Sequence, residues 1–184
     1  ARRRKLPYKV DELVERLESV YGTPRLIARF DPMEELVSCI LSQHTADANS
    51  FPAFTRMRAH YTDWAAVENA PPSELADVIR KAGLANQKAK NIQACLRQIR
   101  ERVGDYSLEP VRQMPLIEGR RWLTELPGVG PKTASIVQCF AFGMGAIPVD
   151  THVFRVSGRL GLIGAKTDEV KAHDELLELV RPEM

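Results

Sequence analysis

Residues 126–152 read LPGVGPKTASIVQCFAFGMGAIPVDTH, and this stretch decides the fold. It opens with a tight turn, Pro127-Gly128-Val129-Gly130, between two segments of helical apolar periodicity. Glycine tolerates positive φ and lets a backbone approach another molecule closely. Pro131 suits the first position of a helix, whose unpaired N–H groups favour an anion. The pattern predicts a helix-hairpin-helix unit over about 124–143, with Gly128, Val129, Gly130 and Thr133 as candidate contacts to a nucleic-acid phosphate.

The same stretch carries two chemical groups that the chain can bring together. Lys132 falls on the first turn of the second helix, at its positive pole. A helix from about Pro131 to Phe142 spans roughly 18 Å, and Gly143 is a suitable stop. Six residues, Met144 to Val149, can run back about 20 Å if extended. Asp150 therefore returns to the end that carries Lys132. At that pole protonation of an amine is disfavoured, so Lys132 is a candidate nucleophile with a carboxylate beside it. Plainer readings exist for both. A hairpin lysine can simply meet a phosphate in a sequence-blind DNA grip. Asp150 before Thr151-His152-Val153 is a good N-cap, a role compatible with catalysis.

Composition bounds the setting. A chain of 184 residues, 44% hydrophobic and 27% charged, is built like a soluble globular protein with a real core. No apolar run approaches the ~20 residues of a membrane span, and no secretory segment stands near the start. Net charge is only +2, so nucleic-acid binding must rest on where the cations lie. Arg2, Arg3, Arg4 and Lys5 form one cluster; Lys88, Lys90, Arg97, Arg100 and Arg102 load one segment against Glu101. Such runs usually make a solvated face. Here they stand between the Gly83-Leu84 turn and the hairpin, which points to phosphate contact, with Lys88 and Lys90 as candidates. Cys39, Cys95 and Cys139 are far apart, fall on apolar helical faces and lack zinc spacing. They read as free buried thiols in a reducing compartment.

The rest of the pattern is helical, with no sustained period-2 strand. Asp11 opens a helix ended by Gly22-Thr23-Pro24. Asp31-Pro32-Met33-Glu34 caps one running from Pro32 to Gln43. A third spans about 46–60, with Pro52 as a break or kink. Short helices follow at about 64–69 and 73–81, the basic helix at about 87–103, one begun by Pro115, and a last one capped by Thr167.

LPGVGPKTA and VDTHVFRV resemble the helix-hairpin-helix DNA glycosylase superfamily, specifically its endonuclease III branch, which is marked by lysine at the Lys132 position and aspartate at the Asp150 position. LSQHTAD at 41–47 is similar to a family region whose glutamine fills the gap left by an extruded base, a role that would fall to Gln43. KAGLANQKAKNI at 81–92 is similar to a turn whose leucine wedges into the duplex, a role that would fall to Leu84. On the residues alone, Gln43 also reads as a helix-end amide and Leu84 as a buried loop anchor. The resemblance covers about residues 10–184. It implies an all-α fold of two helical lobes around a DNA-binding cleft, one lobe from 24–136 with the hairpin and the other from 1–23 with 137–184.

The function it implies is a base-excision-repair DNA glycosylase with β-lyase activity on oxidised pyrimidines in double-stranded DNA, working as a monomer without a diffusible cofactor or membrane partner. Two alternatives stay open: a monofunctional mismatch glycosylase, although those typically carry Ser or Tyr where Lys132 stands, and a non-enzymatic DNA-binding module. Many endonuclease III relatives ligate a [4Fe–4S] cluster through four closely spaced C-terminal cysteines. None stand here before Met184, so the expectation is a sequence cut from a longer one, with a cluster only if cysteines follow and no metal site within these residues. The compartment expected is the cytoplasm, at the nucleoid, in a bacterium or archaeon, and the nucleus or mitochondrion in a eukaryote.

Overall fold

Every regular element is helical among the residues that the computed structural model describes, 10–25 and 28–179. The Arg2–Lys5 cluster lies outside them. Helix α1 (Val10–Tyr21) precedes α2 (Pro32–Ser42), α3 (Asp47–His60), α4 (Trp64–Asn69) and α5 (Pro72–Val78). A 3₁₀ turn at Arg80–Ala82 leads into α6 (Ala85–Val103), followed by α7 (Glu109–Arg112), α8 (Leu116–Thr124) and α9 (Pro131–Ile136). Helix α9 continues as a π-helical turn, Val137–Ala141, before α10 (Thr151–Arg159) and α11 (Glu169–Leu177).

The local chemistry explains most boundaries. Asp31 accepts from the N–H groups of Met33 and Glu34, each at 2.9 Å, and Pro32 opens α2. Pro52 does not end α3. The carbonyl it leaves without a donor belongs to Ala48, which is exposed, so water can serve it. The last helix is capped by Asp168, which accepts from Lys171 N at 2.8 Å, and not by Thr167, whose hydroxyl instead donates to Glu175 at 2.5 Å. The short α7 and the π turn carry no clear sequence signal.

The main core surrounds α2. Leu36, Val37, Ile40 and Leu41 are fully buried, with Ile92, Cys95, Leu96 and Ile99 of α6 and Leu123, Ala134 and Val137 from around the hairpin. Each large aliphatic side chain buried this way contributes roughly 1.5–3 kcal/mol. Val137 and Phe142 belong to this cluster, so the core expected to close at 136 reaches past the π turn. A smaller cluster holds Val149, Ile163, Ala172 and Leu176. It draws nothing from α1, which has no buried side chain.

Helix α6 corrects the reading of its cations. Lys88 is buried, 3% exposed, and its ammonium donates to Leu41 O at 2.6 Å, Ala82 O at 2.7 Å and Thr45 Oγ1 at 2.8 Å. It is a structural pin beneath the surface, not a phosphate contact. Lys88 shares the helical face of Ile92, Cys95 and Ile99, at spacings of four, three and four, and that face is the core face. Arg100 makes a two-pronged contact with Glu68, through Nε at 3.0 Å and Nη2 at 2.9 Å, and Arg97 approaches the same carboxylate at 3.6 Å. Arg102 pairs with Glu125 at 2.9 Å. Lys90 remains exposed.

Lys88→Met should therefore destabilise the fold by about 3 kcal/mol, since three buried acceptors lose a charged donor. The same variant, assayed while still folded, should leave the salt slope of DNA binding unchanged. Urea unfolding and a salt titration check this. Intact stability with a shallower slope would make Lys88 a phosphate contact after all.

Candidate active site

The hairpin forms where the glycines stand. Gly128 has φ +78, a conformation that favours glycine, and Val129 N donates back to Leu126 O at 3.1 Å to close the turn. A Cβ at Gly128 would also lie 3.0 Å from Asn91 of α6, so glycine permits the turn's close approach to that helix. Gly130 is the extended N-cap residue of α9. Val129 (7% exposed) and Thr133 (6%) turn their side chains inward. Only their backbones are left to meet a phosphate, and Val129's N–H is already used.

Lys132 is exposed in the first turn of α9. Residues 144–149 run back without helix, and Asp150 caps α10, its Oδ1 accepting from His152 N at 2.9 Å and Val153 N at 2.8 Å. Both cap bonds fall on one oxygen. Lys132 and Asp150 line the same cleft of about 420 Å³ with Val149, His152 and His173. The hydrogen bond from Val153 N holds the Asp150 carboxyl below its usual range, with the Lys132 charge and the His152 N–H adding to the effect against some desolvation. Asp150 is thus ionised at neutral pH.

His173 is a site residue that the sequence did not announce; it reads there as one polar position on an amphipathic helix. It is 3% exposed. Its Nε2 accepts from Val149 N at 3.2 Å and its Nδ1 faces Glu169 O at 2.9 Å, an arrangement that requires the neutral ring with its proton on Nδ1. It fixes the residue before Asp150.

Gln43 ends α2, and its Nε2 donates to Gly128 O at 2.7 Å, tying α2 to the hairpin. The side chain that projects from the same turn is His44, exposed, with φ +53. Leu84 is 64% exposed with φ +45, so it is no buried anchor. Among the described residues His44 and Leu84 are the only non-glycine positions with positive φ, each held at roughly 1–2 kcal/mol of strain. Their turns are joined: Thr45 Oγ1 donates to Ala82 O, and Lys88 bonds both.

Residues 37–182 match the model of the HhH-GPD superfamily of base excision DNA repair proteins. The chain belongs to that superfamily. Within it the chain is endonuclease III-like. It is 34% identical over 174 residues to endonuclease III of Thermotoga maritima, covering 95% of this chain and 76% of that protein. It is also 34% identical over 152 residues to an Arabidopsis thaliana protein named as a candidate DNA glycosylase, covering 83% of this chain and 52% of that protein. This HhH-GPD chain thus spans about half the length of the plant relative. A solved structure of a trapped endonuclease III–DNA covalent intermediate superposes with a TM-score of 0.78 at 30% identity, over 95% of this chain and 78% of that one.

An iron–sulfur cluster does not fit the residues described in this HhH-GPD chain. Cys39 and Cys95 are buried in different helices, each thiol pushed up to about 12 chiefly by desolvation. Cys139 lies in the π turn. Among the described residues no three His, Cys, Asp or Glu side chains gather as a ligand set.

Burial lowers the pKa of His173. Its folded value lies below its unfolded value of about 6.5, so its contribution to stability is fully present above that pH and is lost as pH falls through the folded value. The gap in urea midpoint between the wild type and His173→Gln should therefore narrow on going from about pH 7.5 to about pH 5. A gap independent of pH would show that the imidazole is not held neutral by this contact.

Proposed function

We propose that this chain is a bifunctional DNA N-glycosylase and abasic-site lyase acting on oxidised pyrimidines in duplex DNA. The observation that carries the reading is the meeting of Lys132 and an ionised Asp150 across one cleft beside the hairpin. That the structurally similar endonuclease III has been trapped as a covalent intermediate with DNA supports an amine nucleophile. A monofunctional glycosylase needs no lysine here, and a plain DNA grip needs no carboxylate facing it.

The steps follow from the groups present. Lys132 Nζ passes an ammonium proton to the departing base, which leaves with the C1′–N bonding pair, and bonds to C1′ of the extruded nucleoside. Positive charge that develops on the sugar faces the Asp150 carboxylate. Because its pKa is lowered, Asp150 serves better as a fixed negative charge than as a proton acceptor. A second proton passes from Nζ to O4′ as the sugar ring opens to a Schiff base on Lys132 Nζ. Loss of a C2′ proton then expels the 3′ phosphate and nicks the strand. A [4Fe–4S] cluster would need four cysteines, and this sequence has three; no step above depends on one. The partner is double-stranded DNA with a damaged base, bound by a monomer, and the compartment is wherever that DNA is kept.

Lys132→Gln should abolish borohydride-trapped complex and nicking on a thymine glycol duplex while duplex affinity stays within a few fold. Asp150→Asn should slow base excision by about 10²-fold or more with little loss of stability, because asparagine caps α10 equally well. Trapping that survives in Lys132→Gln would refute the nucleophile, and normal turnover in Asp150→Asn would reduce that residue to a cap.

Exposure and strain support Leu84 as the wedge, and they favour His44, with Gln43 anchored beside it, as the side chain that enters the gap. Leu84→Ala and His44→Ala should each lower excision of a paired lesion by about tenfold and affect a preformed abasic site much less. Equal losses on both substrates would leave them as simple contacts.

A further inference from the structure

Lys132 stands between two recesses. One is the cleft it shares with Asp150. The other, of about 570 Å³, lies between α2, α3 and the α9–π segment, and Lys132 lines its edge. Such a volume is that of a small-molecule site, about 300–1,000 Å³. The Lys132 charge reaches into both, acting on the Asp150 carboxyl on one side and on the Cys39 thiol on the other.

The second recess is built unlike a packing defect. In its wall is Glu35, a carboxyl only 5% exposed, on a helix whose other buried side chains are apolar apart from Ser38 and the thiol of Cys39. Its compensation is thin: Cys39 Sγ donates to it at 3.7 Å and the Arg29 guanidinium stands 4.0 Å away with its own side chain 62% exposed. Two phenylalanines line the same space without entering the core, Phe51 at 49% and Phe140 at 42% exposed. Phe51 is backed by Phe30, their ring centres 6.3 Å apart and nearly parallel. Rings at the rim and a buried polar group in the wall suit a polar heterocycle gripped between apolar faces and hydrogen-bonded by its edge. The steps proposed for Lys132 and Asp150 make no use of any of these groups.

We infer that this recess receives the extruded base and that Glu35 reads the edge of a pyrimidine imide, a C=O beside an N–H, with Phe51 and Phe140 flanking the ring and Arg29 reaching a second carbonyl. Burial raises the Glu35 pKa against the opposing Arg29 charge and Cys39 contact; when protonated, the carboxyl sets a donor O–H beside an acceptor oxygen and matches that edge with two parallel hydrogen bonds. A base seated here leaves its C1′ at Lys132, with Asp150 on the opposite side. The inference rests on the glycosylase reading and deepens it.

The test uses two duplexes that differ only in carrying thymine glycol or a preformed abasic site, which has no base to read, under single-turnover conditions. Glu35→Leu should lose about thirtyfold more on thymine glycol than on the abasic site, because a site stripped of its hydrogen-bonding group no longer rewards the correct edge. Glu35→Gln, which restores a donor beside an acceptor, should recover most of the difference. Phe140→Ala, altered at an exposed position that does not threaten folding, should show a selective loss of about tenfold. Equal losses on both substrates, or thymine glycol excision by Glu35→Leu within about threefold of wild type, overturn the inference and leave the glycosylase reading standing; if Glu35→Leu fails to fold, Phe140→Ala decides by the same comparison. A wild-type protein that nicks the abasic duplex and leaves thymine glycol untouched overturns the substrate reading, and the inference with it.

Discussion

One ammonium organises the hairpin end of the larger core. Lys88 bonds the last-turn carbonyl of Leu41, the hydroxyl of Thr45 and the carbonyl of Ala82, and so joins the turn after α2 to the turn before α6. Gln43 extends the linkage to the hairpin through Gly128 O, and Asn91 of α6 packs against the same glycine. Three loops far apart in sequence thus form one unit through side-chain-to-backbone bonds. Hydrogen bonds to charged groups contribute about 1.5–3 kcal/mol each. Two left-handed non-glycine residues, His44 and Leu84, together cost roughly 2–4 kcal/mol, so the linkage can hold both in place. The projecting side chains of His44 and Leu84 are thus set in advance by the fold.

The chemistry depends on a different device. Asp150 serves two ends through one carboxyl group: Oδ1 takes the two cap bonds that start α10, and the ionised group as a whole lines the cleft with Lys132. The cap lowers its pKa, so the interaction that begins the helix also keeps the negative charge in place. His173 completes the device by binding Val149 N from the far side. The smaller core therefore positions a charge, whereas the larger one positions Lys132 and the projecting turns.

Much of this was legible in residues 126–152. Turn, helix start, stop and return are punctuated by Gly, Pro and Asp, whose effects are local, and the expected encounter of Lys132 with Asp150 needed only chain lengths. The all-helical pattern and the Asp31 cap were legible for the same reason. Contacts decided between distant segments were hidden. Lys88 looked like one cation among five, although its spacing to Ile92, Cys95 and Ile99 marked it for the core face. Arg97 and Arg100 looked free because Glu68 stands about thirty positions away. Gln43 offered no sign that Gly128 O would take its amide, and the projection of its neighbour His44 was hidden because a left-handed φ cannot be read from a histidine. Val129 and Thr133 were expected at the phosphate by position alone, yet burial turned them inward.

Glu35 shows why such hidden contacts concentrate near function. A helix buried on nearly every side, as α2 is from Met33 to Leu41, would be most stable with apolar side chains throughout, and a leucine at position 35 would avoid desolvating a carboxyl. The local rule is broken on the side of that helix that lines the recess with Lys132, by Glu35 and more mildly by Ser38, next to two aromatic rings left outside the core. Lys88 breaks the same rule on α6, but there three strong acceptors answer it. The difference between the two buried polar groups is the degree of satisfaction: Lys88 is fully engaged and has a structural task, whereas Glu35 has one weak thiol donor and a distant guanidinium, and retains hydrogen-bonding capacity for a ligand.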